Sequence, residues 1–226
     1  MGIVGLLRRL RFDVRKTPNP LPRLTHAEAT HLLYFKRMLS LVSDIEGDVV
    51  ECGVGRGHSL LAFAILLRDE EKVRNLWGFD SFAGFPAPTE EDHSPRNPRA
   101  GEWAVASRQD VHRLLLQAGL DPWFVDTRVV LVEGFFQDTL PHYRGRQIAL
   151  LHLDVDLYAS YRSCLTHLWP KVAVGGVVLF DEYRNTMENI KFPGAAKAID
   201  EFFGAEASRL RRDESSGKFY LVRTKS

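Results

Sequence analysis

The sequence contains little cysteine, no long apolar run and no excess of charge of one sign. Cys52 and Cys164 are its only cysteines, so no disulfide framework is expected and both are predicted to be small, buried side chains. Lysine and arginine together number 30, against 29 for aspartate and glutamate. This balance leaves no overall field to attract nucleic acid or an anionic membrane, and we expect a globular protein that binds neither.

Signals for membranes and export are also missing from the sequence. No stretch of about 18 residues is apolar without charge, so no membrane span is predicted. The apolar run near Met1 is too short for a signal peptide, and Leu6 does not fit a myristoylation site. We therefore expect a cytoplasmic protein.

Two apolar runs each end in a pair of acidic residues. The first leads into Asp154 and Asp156, and the second, one strand-helix-strand unit later, leads into Asp181 and Glu182. A strand buried on both faces is nearly continuously apolar, and open α/β sheets bind ligands at the carboxyl ends of such strands. Carboxylates that lie so near to one another raise one another's pKa unless a cation lies between them. The pattern favours a divalent metal, and the alternative is that single acids are helix caps or loop charges.

A glycine-rich turn follows an earlier predicted strand. Glu51 precedes Gly53, Gly55 and Gly57, and Ser59 begins a helix. Glycines let the backbone approach a ligand, and a helix amino end offers free N–H groups. The spacing G-x-G-x-G differs from the dinucleotide fingerprint G-x-G-x-x-G. Because Glu51 suits a cationic group, the turn favours S-adenosylmethionine and disfavours a nicotinamide-dependent oxidoreductase.

The next two predicted strands supply further candidate contacts for this cofactor. Asp80 ends one strand at the usual distance for binding ribose hydroxyls, although an aspartate there is also a common turn former. Gly134 and Phe135 follow the other strand. Either Phe135 or Phe136 is available to lie against a flat base, and the alternative is a packed core aromatic.

The domain organisation is predicted as follows. Residues 1–45 form an extended arm and a covering helix, which begins with a capping box at Thr25 and packs on the active site, on a second subunit or on the core. Residues 46–226 form the catalytic domain. Within it, residues 83–107 are rich in proline and glycine and too long for a simple connection, which predicts a lid, or else a disordered insertion.

Five strands alternating with helices, followed by a hairpin, predict an α/β fold. Its core is a doubly wound, Rossmann-like, seven-stranded sheet that is mostly parallel, with a C-terminal antiparallel hairpin strand. Five motifs add a closer resemblance. They are Glu51-Cys-Gly-Val-Gly-Arg-Gly, Gly78-Phe-Asp-Ser-Phe-Ala-Gly-Phe-Pro86, His152-Leu-Asp-Val-Asp-Leu-Tyr158, Asp181-Glu-Tyr183 and Pro193-Gly-Ala-Ala-Lys-Ala-Ile199. In these motifs the chain resembles the macrocin O-methyltransferase (TylF/MycF-type) family of class I methyltransferases.

The resemblance implies an O-methyltransferase that uses S-adenosylmethionine and Mg²⁺ and acts on a hydroxyl of a small molecule, often a natural-product sugar. It also implies roles for individual residues. Glu51, Gly53, Gly57 and Ser59 would hold the methionine end, Asp80, Ser81 and Phe82 the ribose and adenine, and Asp154, Asp181 and Glu182 the metal, with Gly55, Gly134, Phe135 and Asp154 as further cofactor contacts. Glu182 stands where the family usually has aspartate, and Gly55 where many relatives carry an aromatic residue.

The expected chemistry is displacement of the methyl group by an activated oxygen. A divalent metal lowers the pKa of a bound hydroxyl, and Asp154 or Asp156 would accept its proton. Two alternatives remain: a catechol or other phenolic acceptor, whose hydroxyl starts near a pKa of about 10, and a non-catalytic nucleotide-binding protein, which should have lost the acidic pairs. A homodimer is the expected oligomeric state.

Overall fold

The computed structural model describes residues 25–184 and 190–225, and a seven-stranded sheet forms its centre. The strands are β1 (Asp48–Cys52), β2 (Leu76–Asp80), β3 (Val129–Glu133), β4 (Ile148–Leu153), β5 (Val172–Phe180), β6 (Arg211–Arg212) and β7 (Phe219–Val222). Their order is β3-β2-β1-β4-β5-β7-β6. Strands β1 to β5 are parallel, and β7 runs antiparallel to both β5 and β6. The predicted fold class is confirmed.

Helices cover both faces of this sheet. They are α1 (His26–Ser40), α2 (His58–Arg68), α3 (Arg108–Gln117), α4 (Pro122–Arg128), α5 (Phe136–Thr139), α6 (Tyr158–Leu168) and α7 (Pro193–Phe203). Short 3-10 turns lie at Glu90–Asp92, Leu140–His142, Trp169–Lys171 and Gly204–Arg209. Within the described ranges, no helix combines the length and the apolar character needed to cross a membrane.

Alternation along the strands divides the core into two layers. Successive side chains of a strand point to opposite faces of the sheet. Val49 and Leu150 therefore belong to the cluster under α1, α2 and α3, whereas Val50 and Leu151 belong to the cluster under α6 and α7. Because the central strands are apolar on both faces, their backbones are buried. Their carboxyl ends lie together at one edge of the sheet.

Helix α1 packs into the same core as the sheet. Its capping box is formed as predicted, since the Glu28 N–H donates to the Thr25 hydroxyl at 3.2 Å and the Thr25 N–H donates to the Glu28 carboxylate at 2.7 Å. Further along, the rings of Phe35 and Phe63 meet at 4.3 Å between centroids. The predicted arm, residues 1–24, lies outside the described residues.

Two elements differ from the sequence expectation. Helix α4 was not predicted, although its signal is present: the Asp121 carboxylate accepts a hydrogen bond from the Phe124 N–H at 3.2 Å, and Pro122 occupies the first turn. The sequence pattern predicts a terminal hairpin of residues 208–213 and 218–223, and the observed hairpin is shorter. A 3-10 turn replaces the start of its first strand, which leaves only Arg211 and Arg212 paired.

Residues 83–107 are anchored to the rest of the fold at Asp92. This side chain is 1% exposed, and its carboxylate accepts hydrogen bonds from the Tyr158 N–H at the start of α6 and from the Thr89 N–H, both at 2.8 Å. A side chain at Gly194 in α7 would overlap the same carboxylate. Closer to the sheet, the Phe85 N–H donates to a carbonyl within the segment at 2.8 Å. The segment is thus fastened to two helices.

We predict that Asp92→Ala destabilises the protein. The change leaves the Tyr158 N–H at the α6 terminus without its buried acceptor, which costs about 1 to 3 kcal/mol. Urea unfolding should show this loss, whereas Glu90→Ala, an exposed acid in the same 3-10 turn, should stay within about 0.5 kcal/mol of the wild type. Equal stability of the two variants would contradict the anchoring role.

Candidate functional site

A cavity of about 940 Å³ opens at the carboxyl edge of the sheet. This volume is at the upper end of the range for small-molecule sites. Eight of the residues that the sequence analysis singles out line it: Gly53, Gly55, Asp80, Ser81, Phe135, Phe136, Asp154 and Asp156. The strand topology explains this gathering, because β1, β2 and β4 are parallel neighbours and each ends at this edge.

The glycine loop after β1 has positive φ at each of its three glycines. Gly53 has φ +88°, and a Cβ there would overlap the carbonyl oxygen of Asp154. Gly55 has φ +50°, and no atom lies within 4 Å of the position that a Cβ would take. Gly57 has φ +84° and packs against Val111 of α3. Gly53 therefore brings β1 and β4 together, Gly55 leaves open space in the cavity, and Gly57 fits the loop to its neighbouring helix.

Asp80 joins the ends of β1 and β2. One carboxylate oxygen accepts a hydrogen bond from the Gly55 N–H at 2.8 Å, and the other accepts one from the Phe82 N–H at 2.7 Å. Its backbone carbonyl accepts the Gly134 N–H at 2.9 Å. Each carboxylate oxygen keeps a further lone pair, so Asp80 both forms the turn and presents acceptors to the cavity. Phe82 and Gly134 themselves do not line the cavity.

Glu51 lies beneath the loop and not on the cavity wall. It is fully buried, and one of its oxygens lies 2.9 Å from Nδ1 of His152 on β4. Its second oxygen has no hydrogen-bond partner among the described residues. Burial, opposed by the hydrogen bond to His152, raises the pKa of Glu51. Ser59 is likewise not part of the cavity wall. The structure thus places both residues beneath the loop and not among the residues that line the cavity.

Three carboxylates form an acidic cluster beside the cavity. One oxygen from each of Asp154, Asp181 and Glu182 lies within 4.8 Å of the others. Burial, together with the charge of Asp181, raises the pKa of Asp154 to about 7. Asp156 lines the cavity with φ +57°, a left-handed conformation rare for a side chain other than glycine, asparagine or aspartate. The sequence therefore placed these four acids at one edge correctly, but only three share an ion-sized space.

The Tyr161 hydroxyl holds Glu182 in this cluster. It lies 3.1 Å from the Leu153 carbonyl oxygen and also contacts a carboxyl oxygen of Glu182. A tyrosine has one hydroxyl proton, so it donates to one of these two oxygens at a time. Burial and the charges of Asp154 and Asp156 raise the pKa of Glu182 well above its usual range, which favours the protonated form of this carboxyl group. Metal binding would release the proton.

A lysine also enters the cluster. The Lys218 ammonium makes an ion pair with the Asp181 carboxylate and donates to the Asp181 carbonyl at 3.1 Å. Burial would raise the pKa of Asp181, but the charge and the hydrogen bond of Lys218, together with the charge of His152, outweigh burial and hold this pKa below its usual value. Nothing in the local sequence around Asp181 signals this partner, because the two residues are brought together only by strand pairing.

Aromatic side chains form another part of the cavity wall. Phe85 and Trp103, both from residues 83–107, stack at 6.3 Å between ring centroids with an angle of 18° between their planes. The guanidinium carbon of Arg96 lies over the Phe85 ring, 5.5 Å from the ring centroid. Trp103 is 60% exposed and has φ +68°. The predicted lid segment therefore supplies a flat apolar surface to the site.

Comparison with known proteins decides the family. A model of the macrocin-O-methyltransferase (TylF) family matches residues 15–207, which is most of the chain. The chain belongs to this family. The resemblance seen in the five sequence motifs is confirmed, and the protein is an O-methyltransferase.

Individual relatives agree with this assignment. Mycinamicin III 3''-O-methyltransferase of Micromonospora griseorubida is 30% identical over 88% of this chain and 80% of its own length. Demethyldecarbamoylnovobiocin O-methyltransferase of Streptomyces niveus is 33% identical over 71% of this chain, which spans 59% of that relative. Among solved structures, the calicheamicin methyltransferase CalS11 has a TM-score of 0.79 and 29% identity, with 91% of this chain and 87% of that chain covered. The O-methyltransferase NovP has a TM-score of 0.72 and 29% identity, with coverages of 87% and 80%.

We predict that Asp80 contributes directly to cofactor binding by this family member. Asp80→Ala should weaken binding of S-adenosylhomocysteine by about 1 to 3 kcal/mol, because a carboxylate acceptor is lost. Titration calorimetry measures the change, and NAD should give no binding. The matched control is Asp69→Ala, an exposed acid that follows α2 at the end far from the cavity. If both variants bind S-adenosylhomocysteine like the wild type, Asp80 is only a turn former.

Proposed function

We propose that this O-methyltransferase transfers the methyl group of S-adenosylmethionine to a hydroxyl of a natural-product sugar, with Mg²⁺ held by Asp154, Asp181 and Glu182. The observation that carries the proposal is the position of Asp154, which belongs both to the cavity wall and to the acidic cluster. A cofactor in the cavity and a hydroxyl beside the cluster would therefore meet at one residue.

The cavity residues fit S-adenosylmethionine by their chemistry. Gly53 and Gly55 expose backbone without side chains, which suits the methionine end of the cofactor. Asp80 offers carboxylate lone pairs to ribose hydroxyls, and Phe135 offers a flat face to adenine. The buried, unpartnered oxygen of Glu51 is the acceptor that we assign to the cationic amino group of the cofactor.

The acidic cluster fits Mg²⁺ by its donor set. Its donors are three carboxylates, and hard oxygen ligands are those that Mg²⁺ prefers. When bound, the ion lowers the pKa of a coordinated hydroxyl and so supplies an activated oxygen. The contact with Tyr161 orients Glu182, a residue one methylene longer than aspartate. Asp181 and Glu182 do not line the cavity, so only Asp154 connects the ion site with the cofactor site.

The proton from the acceptor hydroxyl needs a base on the cavity side. Asp156 and Asp154 both line the cavity next to the cluster. We assign the proton to Asp156, because Asp154 is a proposed metal ligand and its lone pairs are then engaged. The strained backbone of Asp156 holds its carboxylate at this place, as is common for residues at active sites.

The acceptor class follows from the relatives and from the aromatic wall. The relatives include a 3''-O-methyltransferase of mycinamicin III and a 4'-O-methyltransferase of a rhamnosyl-tetracenomycin, and one related solved structure is that of a TDP-rhamnose 3'-O-methyltransferase. The stacked pair of Phe85 and Trp103 provides a flat surface for the C–H face of a sugar ring. The same surface also fits a catechol or phenol, which is the second candidate acceptor.

Residues 83–107 and α1 complete the proposed site. We propose that residues 83–107 act as an acceptor-selecting cover, fixed at Asp92 and presenting Trp103 to the acceptor. Leu33 of α1 and Leu41, which follows the helix, form an exposed apolar face and are 57% and 48% exposed. We propose that this face contacts a second copy in a homodimer, as the molar mass in solution would show.

We predict that methyl transfer requires a divalent metal. Excess chelator should abolish turnover, Mg²⁺ should restore it, and Ca²⁺ should restore it less well, because its longer bonds suit an octahedral site poorly. Asp181→Asn should lose turnover and metal binding together. Asp156→Asn should keep metal binding and slow only the chemical step in single-turnover experiments. Glu182→Asp should retain activity.

The acceptor assays for this prediction use a deoxysugar nucleotide or rhamnoside panel and catechol in parallel. Full activity in excess chelator, from protein shown to be metal-free, would remove the metal from the mechanism. Turnover with catechol and none with any sugar would move the acceptor assignment to the phenolic alternative.

A further inference from the structure

The topology of the sheet brings one lysine to the acidic cluster. Parallel strands present their carboxyl ends at this edge, but β7 is antiparallel to β5, so β7 begins where β5 ends. The register pairs Phe180 with Phe219. The residue after Phe180 is Asp181 and the residue before Phe219 is Lys218, and the two therefore face each other across the end of the sheet.

The contacts show that Lys218 is held in place. Its ammonium pairs with the Asp181 carboxylate and donates to the Asp181 carbonyl at 3.1 Å, and its side chain is only 12% exposed. Its backbone N–H donates to the Ser216 hydroxyl at 3.2 Å, and its carbonyl accepts the Asp213 N–H at 2.8 Å. The Asp213 carboxylate in turn pairs with Arg37 of α1 at 2.8 Å. The hairpin turn is thus fixed against α1 while the lysine points at the cluster.

A cation already neutralises one of the three proposed metal ligands. A divalent ion needs the Asp181 carboxylate at its short Mg²⁺–oxygen distance of about 2.0 to 2.1 Å. An ammonium on the same carboxylate repels that ion and occupies a lone pair that the ion would use. Lysine is attached by a flexible four-carbon stem and gains its hydrogen bonds singly, so it can leave Asp181 without any backbone change.

We propose that the Lys218 ammonium and the divalent metal compete for Asp181, so that Lys218 weakens metal binding and leaves Asp181 when the metal binds. The inference rests on the metal site of the proposed function. In the metal-free protein Lys218 takes the place of the missing positive charge and keeps Asp181 ionised and oriented. The Asp181 carboxylate is then already charged and positioned for the ion. The ammonium that leaves Asp181 remains close to the acidic cluster, beside which the acceptor hydroxyl is proposed to bind.

The first test measures Mn²⁺ binding by the electron paramagnetic resonance of free Mn²⁺, without turnover. Lys218→Met should tighten binding by about tenfold or more, since a buried neighbouring positive charge is removed. Lys218→Arg, which keeps the charge, should not tighten it. The control Lys171→Met, at the other end of β5, should bind like the wild type. Thermal unfolding and S-adenosylhomocysteine binding verify that each variant is folded.

The second test needs no variant. Amine acylation followed by mass spectrometry should show Lys218 protected in the metal-free protein and labelled several-fold faster when Mg²⁺ is added, relative to the exposed Lys197. Unchanged labelling of Lys218 at saturating Mg²⁺, or equal Mn²⁺ affinity of Lys218→Met and the wild type, would overturn the competition and leave the metal site standing. Absence of Mn²⁺ binding in the wild type and in Lys218→Met alike would instead reject the metal site, and the competition with it.

Discussion

The close approach of the β1 and β4 backbones at Gly53 and Asp154 is the constraint on which the site depends. The Asp154 N–H donates to the Cys52 carbonyl at 3.0 Å, and the missing side chain at Gly53 makes room for the Asp154 carbonyl. This contact carries the pairing of the two central strands past their ends. It therefore fixes where the glycine loop leaves β1 and where the Asp154 carboxylate lies. Asp154 is thus shared by the proposed cofactor site and the proposed ion site.

Electrostatics govern the other half of the site. Three carboxylates whose oxygens lie within 4.8 Å of one another are not readily all ionised without a cation. The structure reduces this repulsion in two ways: Lys218 pairs with Asp181, and the Tyr161 hydroxyl donates a hydrogen bond to Glu182. Both contacts can be released when an ion binds, whereas an apolar residue in place of one of these carboxylates could not bind the ion. The cluster is thus stable without an ion and still has the ligands for one.

Much of the fold was predictable because its signals are local. The apolar runs ending in Asp154 and Asp181, the glycine turn and the capping box at Thr25 each lie within about ten residues of sequence, and local periodicity suffices to read them. Contacts between distant segments left no such signal. The pairing of Asp181 with Lys218 depends on strand register, and the burial of Glu51 against His152 depends on two neighbouring strands. The roles of the individual site residues stay predictions.

The anchoring of Asp92 has a consequence for exchanging parts among relatives. Its carboxylate fills the space that a side chain at Gly194 would occupy, and it caps the helix that begins at Tyr158. An acceptor-selecting segment transplanted from another methyltransferase would place a different residue at position 92. That residue would have to fit the space between α6 and α7 that Asp92 now fills. A loop graft in this scaffold should therefore transfer three parts together: the segment itself, the start of the helix at Tyr158 and the glycine at position 194.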